Sequence, residues 1–201
     1  TALDVHHTIL PPTSRHKPDP ALLIDASIEI AACPGVRMPS PCDMILHSAT
    51  HLFHEGEPDN LLRDLTDLDA LLREFARTDH GFWQNLMARA ELLGLEHPLA
   101  LALHYANALL DTPVSAEVLE TVRRRISGGP GQRLRDAIYQ RVLRPQHDSV
   151  ADWFSPVAGR LLYVRAHWLR MPPWLLAYHL AHKFLFPPKA VSVPLDGKRQ
   201  A

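Results

Sequence analysis

Two cysteines in 201 residues, Cys33 and Cys42, are too few for a disulfide framework. They read as small buried apolar side chains of a protein in a reducing compartment, the cytoplasm. No stretch reaches the ~18 uncharged apolar residues that a membrane-crossing helix needs. The best candidate, residues 174–186, is broken by His179, His182 and Lys183. No signal peptide is expected from this sequence. Neither sign of charge dominates: the formal net charge is −1, so no global field draws the chain onto nucleic acid or an acidic membrane. The glycine-rich run Gly128-Gly129-Pro130-Gly131 contains a proline and lacks the Lys-Ser/Thr that would make it a phosphate loop. No serine stands in a nucleophile-elbow pattern, and no Cys-x-x-Cys pair exists for zinc or redox work. The chain therefore carries no complete active site of a familiar class.

What is there is ordinary globular material. Hydrophobic residues make up 46% and charged residues 21%, enough to build a core. The 13 histidines would turn the protein cationic below about pH 6. The chain opens at Thr1, not Met, and passes directly into an apolar alternation, a start that reads as a cut.

Leu3-Asp4-Val5-His6-His7-Thr8-Ile9 alternates apolar and polar residues, which predicts a strand ending at Pro11-Pro12. One short helical turn is expected over 21–26. Ile28-Glu29-Ile30-Ala31, the Pro34-Gly35 turn and Val36-Arg37-Met38 predict a β-hairpin. Ser40-Pro41-Cys42-Asp43 then has an N-cap serine, a proline at the first helical position and an acid at the third, a helix start. That helix is expected to run to Glu55 and stop at Gly56. Asn60 should cap the next, in which Leu61, Leu62, Leu65, Leu68, Leu71, Leu72 and Phe75 recur at helical spacing. Further helices are predicted over 82–93, 98–110, 116–126 (capped by Ser115), 132–143, 150–169 and 174–186. The fold class is mainly α, with a small N-terminal β element of strand plus hairpin and a helical bundle behind it, α+β overall. The expected organisation is 1–40 as the remnant of a sheet with its hairpin, 41–127 as the bundle, 128–187 as C-terminal helices and 188–201 as a disordered tail.

Three constellations invite chemistry. Asp4, between apolar neighbours on its strand, faces away from the core they enter and suits a rigid oxygen ligand for a divalent metal. A solvent-exposed acid is the plain alternative. On the helix over 41–55, His47, His51 and His54 share one face, and the short loop that follows sets them opposite Asp64 and Asp67. This is either a cleft lining that touches substrate or metal, or a structural ion-pair network. His47-Ser48-Ala49-Thr50-His51 lacks the glutamate of a metalloprotease helix, and the His-Asp dipeptide of a phosphohydrolase occurs only at His147-Asp148, in a loop. The third set is basic and aromatic: Arg160, Arg165, His167, Trp168, Arg170, Trp174, Tyr178, His179, His182 and Lys183. Such helices can bind membranes or nucleic acid, but the plainer reading is a docking helix with a solvated basic face and its aromatics in the core. The Arg123-Arg124-Arg125 run at a helix end is a favourable pairing with the macrodipole.

Taken in order, several of these pieces resemble the uncharacterised nucleotidyltransferase family within the DNA polymerase β superfamily. They are the strand Leu3-Asp4-Val5-His6-His7, the hairpin leading to Pro39-Ser40-Pro41-Cys42-Asp43-Met44-Ile45-Leu46-His47, the helix through His54, and Leu62-Arg63-Asp64-Leu65-Thr66-Asp67-Leu68-Asp69. The ending Tyr163-Val164-Arg165-Ala166-His167-Trp168-Leu169-Arg170-Met171-Pro172-Pro173 fits as well. The resemblance implies transfer of a nucleoside monophosphate from a nucleoside triphosphate to an acceptor hydroxyl, with Mg2+ held by three carboxylates. Asp4 matches the third of these acids, so it is the expected catalytic and metal-binding residue. His47, His51, Asp64 and Asp67 are the expected substrate-binding set. The family's Gly-Ser turn and Asp-x-Asp strand have no counterpart, since no Gly-Ser pair exists and Asp67-Leu68-Asp69 lies in a helical pattern. The chain is thus expected to be the C-terminal part of such an enzyme, inactive by itself. Its acceptor is unidentified, and assembly into a homo-oligomer is left open. Two other classes compete: a non-catalytic helical interaction module, and a metal-dependent hydrolase built on His47, His51, Asp64 and Asp67.

Overall fold

Ser40 begins the helical part of the chain as its sequence demands. Its hydroxyl accepts from the Asp43 amide at 3.2 Å and donates to the Asp43 carboxylate at 2.8 Å, so the first turn is closed twice. A computed structural model describes residues 9–10, 14, 17–55, 60–127, 131–145, 147 and 149–185. The predicted strand bearing Asp4 and the tail 188–201 lie outside these residues. Within them, α1 (Pro20–Asp25) precedes a two-stranded antiparallel hairpin, β1 (Ile28–Glu29) and β2 (Arg37–Met38), with Ile28 opposite Met38 and Glu29 opposite Arg37. Then come α2 (Pro41–Thr50), a π-helical turn (His51–Glu55), α3 (Leu61–Thr78), α4 (Phe82–Leu93) and α5 (Glu96–Leu110). They are followed by α6 (Ala116–Ile126), α7 (Gln132–Val142), α8 (Ser155–Arg170) and α9 (Pro173–Leu185). The protein is mainly helical with a small β element near its N-terminus, as its periodicities require.

The centre of the bundle is α5. Pro98, Leu99, Ala100, Leu101, Ala102 and Leu103 are buried in succession, with no polar face to spare. A helical stretch apolar all round must be enclosed. Here α2, α3, α4, α6 and the π-helical turn pack around it. By contrast α3 buries only the stripe Leu61, Leu65, Leu68 and Leu72 and turns its charges outward. Gly94 closes α4 with φ +64°, a left-handed position that lets the Leu95 amide return to the Ala90 carbonyl at 2.8 Å. The C-terminal end of α5 is sealed by side chains. Thr112, fully buried, donates to Asp69 at 2.6 Å, Asn107 donates to the Thr112 carbonyl, and Arg73 reaches both Asp69 and the Leu110 carbonyl. Asp69 is therefore a structural acid within α3.

Four local expectations differ from the structure for identifiable reasons. Asn60 occupies the N-cap position of α3, but its backbone (φ −117°, ψ −1°) is not extended and its side chain makes no capping bond. The helix expected over 150–169 starts only at Ser155, because Asp152 accepts from the Phe154 and Ser155 amides and holds the preceding residues in a turn. The helix expected over 41–55 keeps α-helical form only to Thr50 and widens over its last five residues. On α8 and α9 the aromatics are not in the core: Trp168 is 44%, Tyr178 66% and Trp174 72% exposed. Ser115 does cap α6, accepting from Val118, and the run Arg123-Arg124-Arg125 fills its last turn, from which Arg125 reaches Glu96 at 2.6 Å. Among the described residues, no helix is long and apolar enough to cross a membrane.

One long-range ion pair joins the outer elements to the bundle. Asp43, 2% exposed, receives both Nε (2.8 Å) and Nη2 (2.9 Å) of Arg89 on α4, and the same Nη2 donates to the Leu22 carbonyl on α1 at 2.7 Å. Removing one partner of a buried pair leaves an uncompensated charge, which costs about 3–5 kcal/mol. Arg89→Ala is expected to lower unfolding stability by about that amount, read from urea denaturation.

Candidate functional site

The first turns of α2 meet α1 and the hairpin around a pocket of about 570 Å³. Ile9, Leu23 and Met38 supply apolar wall; Arg37, Asp43 and His47 supply its polar groups. Arg37 is set in place by its own hairpin: Nε donates to the Ser27 hydroxyl at 2.7 Å and Nη2 donates to the Ser27 carbonyl. The Asp43 carboxylate is spent on Arg89 and Ser40, so its charge is compensated on the protein side. The other charged and titratable groups on its wall are the Arg37 guanidinium and the His47 imidazole. That combination favours a phosphate or another anion over a cation.

His47 is exposed on α2, and the His51 ring, on the π-helical turn, lies with its centroid 4.4 Å away, tilted by 48°. Across the α2–α3 connection, Asp64 feels His51 electrostatically. Partial burial holds its carboxyl above the usual range, the neighbouring Asp67 pushes the same way, and Arg63 and His51 oppose. Of the four expected substrate-binding residues, His47 and His51 thus lie ring beside ring, and Asp64 is within electrostatic range of His51. Asp67 stands in solvent with Arg63, 3.8 Å away. His54, expected on the same face, is instead buried in the bundle at 3% exposure. The cause is the widened turn: with i→i+5 bonding each residue advances less than an α-helical step, so three residues after His51 no longer return to its face. Asp4 falls outside the described residues; it precedes Ile9 of the pocket wall by five positions. His147 lies in the α7–α8 loop, its Nδ1 2.8 Å from the Ser149 hydroxyl, and Asp148 is outside the described residues.

Among the described residues, no group of three His, Cys, Asp or Glu side chains is gathered so as to hold a metal ion. The hydrolase set therefore does not converge: α3 points Asp67 away, and nothing described supplies a further ligand to His47, His51 and Asp64. Sequence reasoning did not find Arg37 as a pocket residue, nor the Arg89–Asp43 pair. Asp43 is legible as a helix-start acid, but spacing gives no signal for an arginine 46 residues further on.

The chain matches the model of a family described as uncharacterised nucleotidyltransferase over residues 1–111, which span the pocket and helices α1 to α5. No curated protein and no solved structure matches it.

Two measurements check this electrostatic picture. Cys42, beside Asp43, has its thiol pushed up to about 11, first by burial and then by the charges of Asp43 and Asp79. Roughly one thiolate in a thousand is then present at pH 8, so Cys33, which is exposed in its hairpin turn and not buried as expected, should be alkylated by iodoacetamide many times faster than Cys42 in a mass-spectrometric time course. Asp64 binds its proton more tightly when folded than unfolded. That contribution to stability is present below the ordinary carboxylate range and lost as pH rises through the folded value. Asp64→Asn should therefore raise the melting temperature at pH 7, with the gain vanishing near pH 3.

Proposed function

The chain belongs to the uncharacterised nucleotidyltransferase family, and on that premise we propose that it serves in transferring a nucleoside monophosphate from a nucleoside triphosphate to an acceptor hydroxyl. The observation that carries this reading is the α1–hairpin–α2 pocket. It lies wholly within the family-matched residues, has Ile9 on its wall just after the segment bearing Asp4, and offers an arginine and a histidine to a ligand. Arg37 supplies a fixed positive charge for a phosphate, held by Ser27 so that little side-chain freedom is lost on binding. His47 presents an imidazole to the acceptor or nucleotide, with His51 beside it. Asp64 acts from behind, setting the charge around His51 rather than touching substrate. Asp67 has the weakest part, since it reaches solvent.

The transfer calls for magnesium, which in two-metal displacement steadies the attacking and leaving oxygens. The described residues do not by themselves form a site for that ion. We assign Asp4 as its ligand and infer that two further carboxylates come from outside this chain, which alone is then inactive. Two free cysteines fit a reducing compartment, and we place the reaction in the cytoplasm.

The test uses the complete gene product with radiolabelled nucleoside triphosphates and magnesium. Label transfer is expected, and Asp4→Asn should reduce its rate by about a hundredfold or more. His47→Ala should raise KM several-fold with a smaller change in kcat. Unchanged turnover in Asp4→Asn removes that residue from the reaction; a complete protein that transfers no label from any of the triphosphates defeats the reading.

A further inference from the structure

Mostly beyond the family-matched residues, α7 and α8, with His97 of α5, line a second pocket of about 510 Å³, within the usual range for a small organic ligand. Leu134, Ile138, Leu161 and Val164 make its walls apolar, and Trp168 adds an indole. Two arginines line it, in different states. Arg135 is spent on Asp136 at 3.0 Å and on the Ile126 carbonyl at 2.9 Å. Arg165 donates one N–H to the Phe53 carbonyl at 2.7 Å and lies 5.8 Å from the Tyr139 ring centre. Among the described residues it makes no ion pair with a carboxylate. A half-buried guanidinium held against an apolar wall without a counter-ion is costly.

Tyr139 is a second and independent sign. It lines the same pocket, is 1% exposed, and its hydroxyl makes no hydrogen bond among the described residues. Buried hydroxyls are ordinarily satisfied, so an orphan on a residue that lines a pocket, itself buried behind the wall, points to a missing partner. Burial holds this phenol above its ordinary range, which keeps it a neutral donor at any physiological pH.

We propose that the α7–α8 pocket binds a small amphipathic carboxylate. Its apolar body lies against Leu134, Leu161 and Trp168, and its carboxylate takes hydrogen bonds from Arg165 and the Tyr139 hydroxyl. The Arg165 guanidinium balances a single negative charge and the neutral hydroxyl adds a donor, whereas a phosphate dianion would leave excess charge against the apolar walls. The site is independent of the nucleotidyl-transfer reading, since no residue of one pocket lines the other.

Calorimetric titration of the full chain with 2-naphthoate at pH 7 tests it. Saturable one-site binding is expected, at least tenfold tighter than that of 2-naphthylmethanol, which has the same rings without the charge. Arg165→Met should weaken naphthoate at least tenfold and Arg165→Lys less. Tyr139→Phe should weaken it several-fold without lowering the melting temperature, because it deletes an unsatisfied hydroxyl; this variant carries the test if Arg165→Met does not fold. Absence of saturable naphthoate binding, equal binding of the alcohol, or wild-type affinity in Tyr139→Phe and in a folded Arg165→Met would each overturn the proposal.

Discussion

The pairing of Asp43 with Arg89 is the constraint on which the position of the candidate site depends. A carboxylate taken out of water must be met by positive charge and hydrogen-bond donors, and Asp43 has both, from Arg89 and from Ser40. Because Arg89 also holds the Leu22 carbonyl, one guanidinium ties α1, α2 and α4 together. Helix α1 buries no residue fully, so apolar burial alone holds it weakly. The wall it lends to the pocket is placed largely by this polar clamp and by the partial burial of Leu22 and Leu23.

The other half of the geometry comes from the enclosed helix α5 and the π-helical turn packed against it. The widened turn keeps His51 beside His47, drops His54 into the bundle, and presents the Phe53 carbonyl to Arg165 of α8. The Phe53 ring lies against Tyr105 and Tyr139, at 5.9 and 5.1 Å between centroids. A single irregular turn thus touches the surroundings of both pockets. Irregular helical geometry of this kind costs backbone regularity and persists where packing over-determines it.

The division of labour along the chain follows. The family match ends at residue 111, just past α5, so the first pocket lies within the matched residues and α6 to α9 lie beyond them. Those helices are not a mere extension of the core. Tyr139, Val142, Ala158 and Leu162 join the same buried cluster as the residues of α2 and α5, while Trp153, Trp174 and Tyr178 remain in solvent.

Features whose cause lies within a few residues were legible in the sequence. Ser40 and Ser115 cap helices because a hydroxyl reaches an amide three residues on, and the leucine stripe of α3 follows from the helical repeat. The hairpin and the nearness of His47 to His51 are of the same kind, and the family resemblance rested on such short local pieces. Tertiary structure decided the rest. Arg89 finds Asp43 across 46 residues, and Arg165 finds Phe53 across 112. Which acid of α3 faces the histidines, where α8 begins, and whether Arg37 and Tyr139 line pockets also depended on the folded chain. Periodicity records which side of an element is apolar, but a buried charge selects its partner only when packing has brought two distant elements together and excluded the water that would otherwise serve.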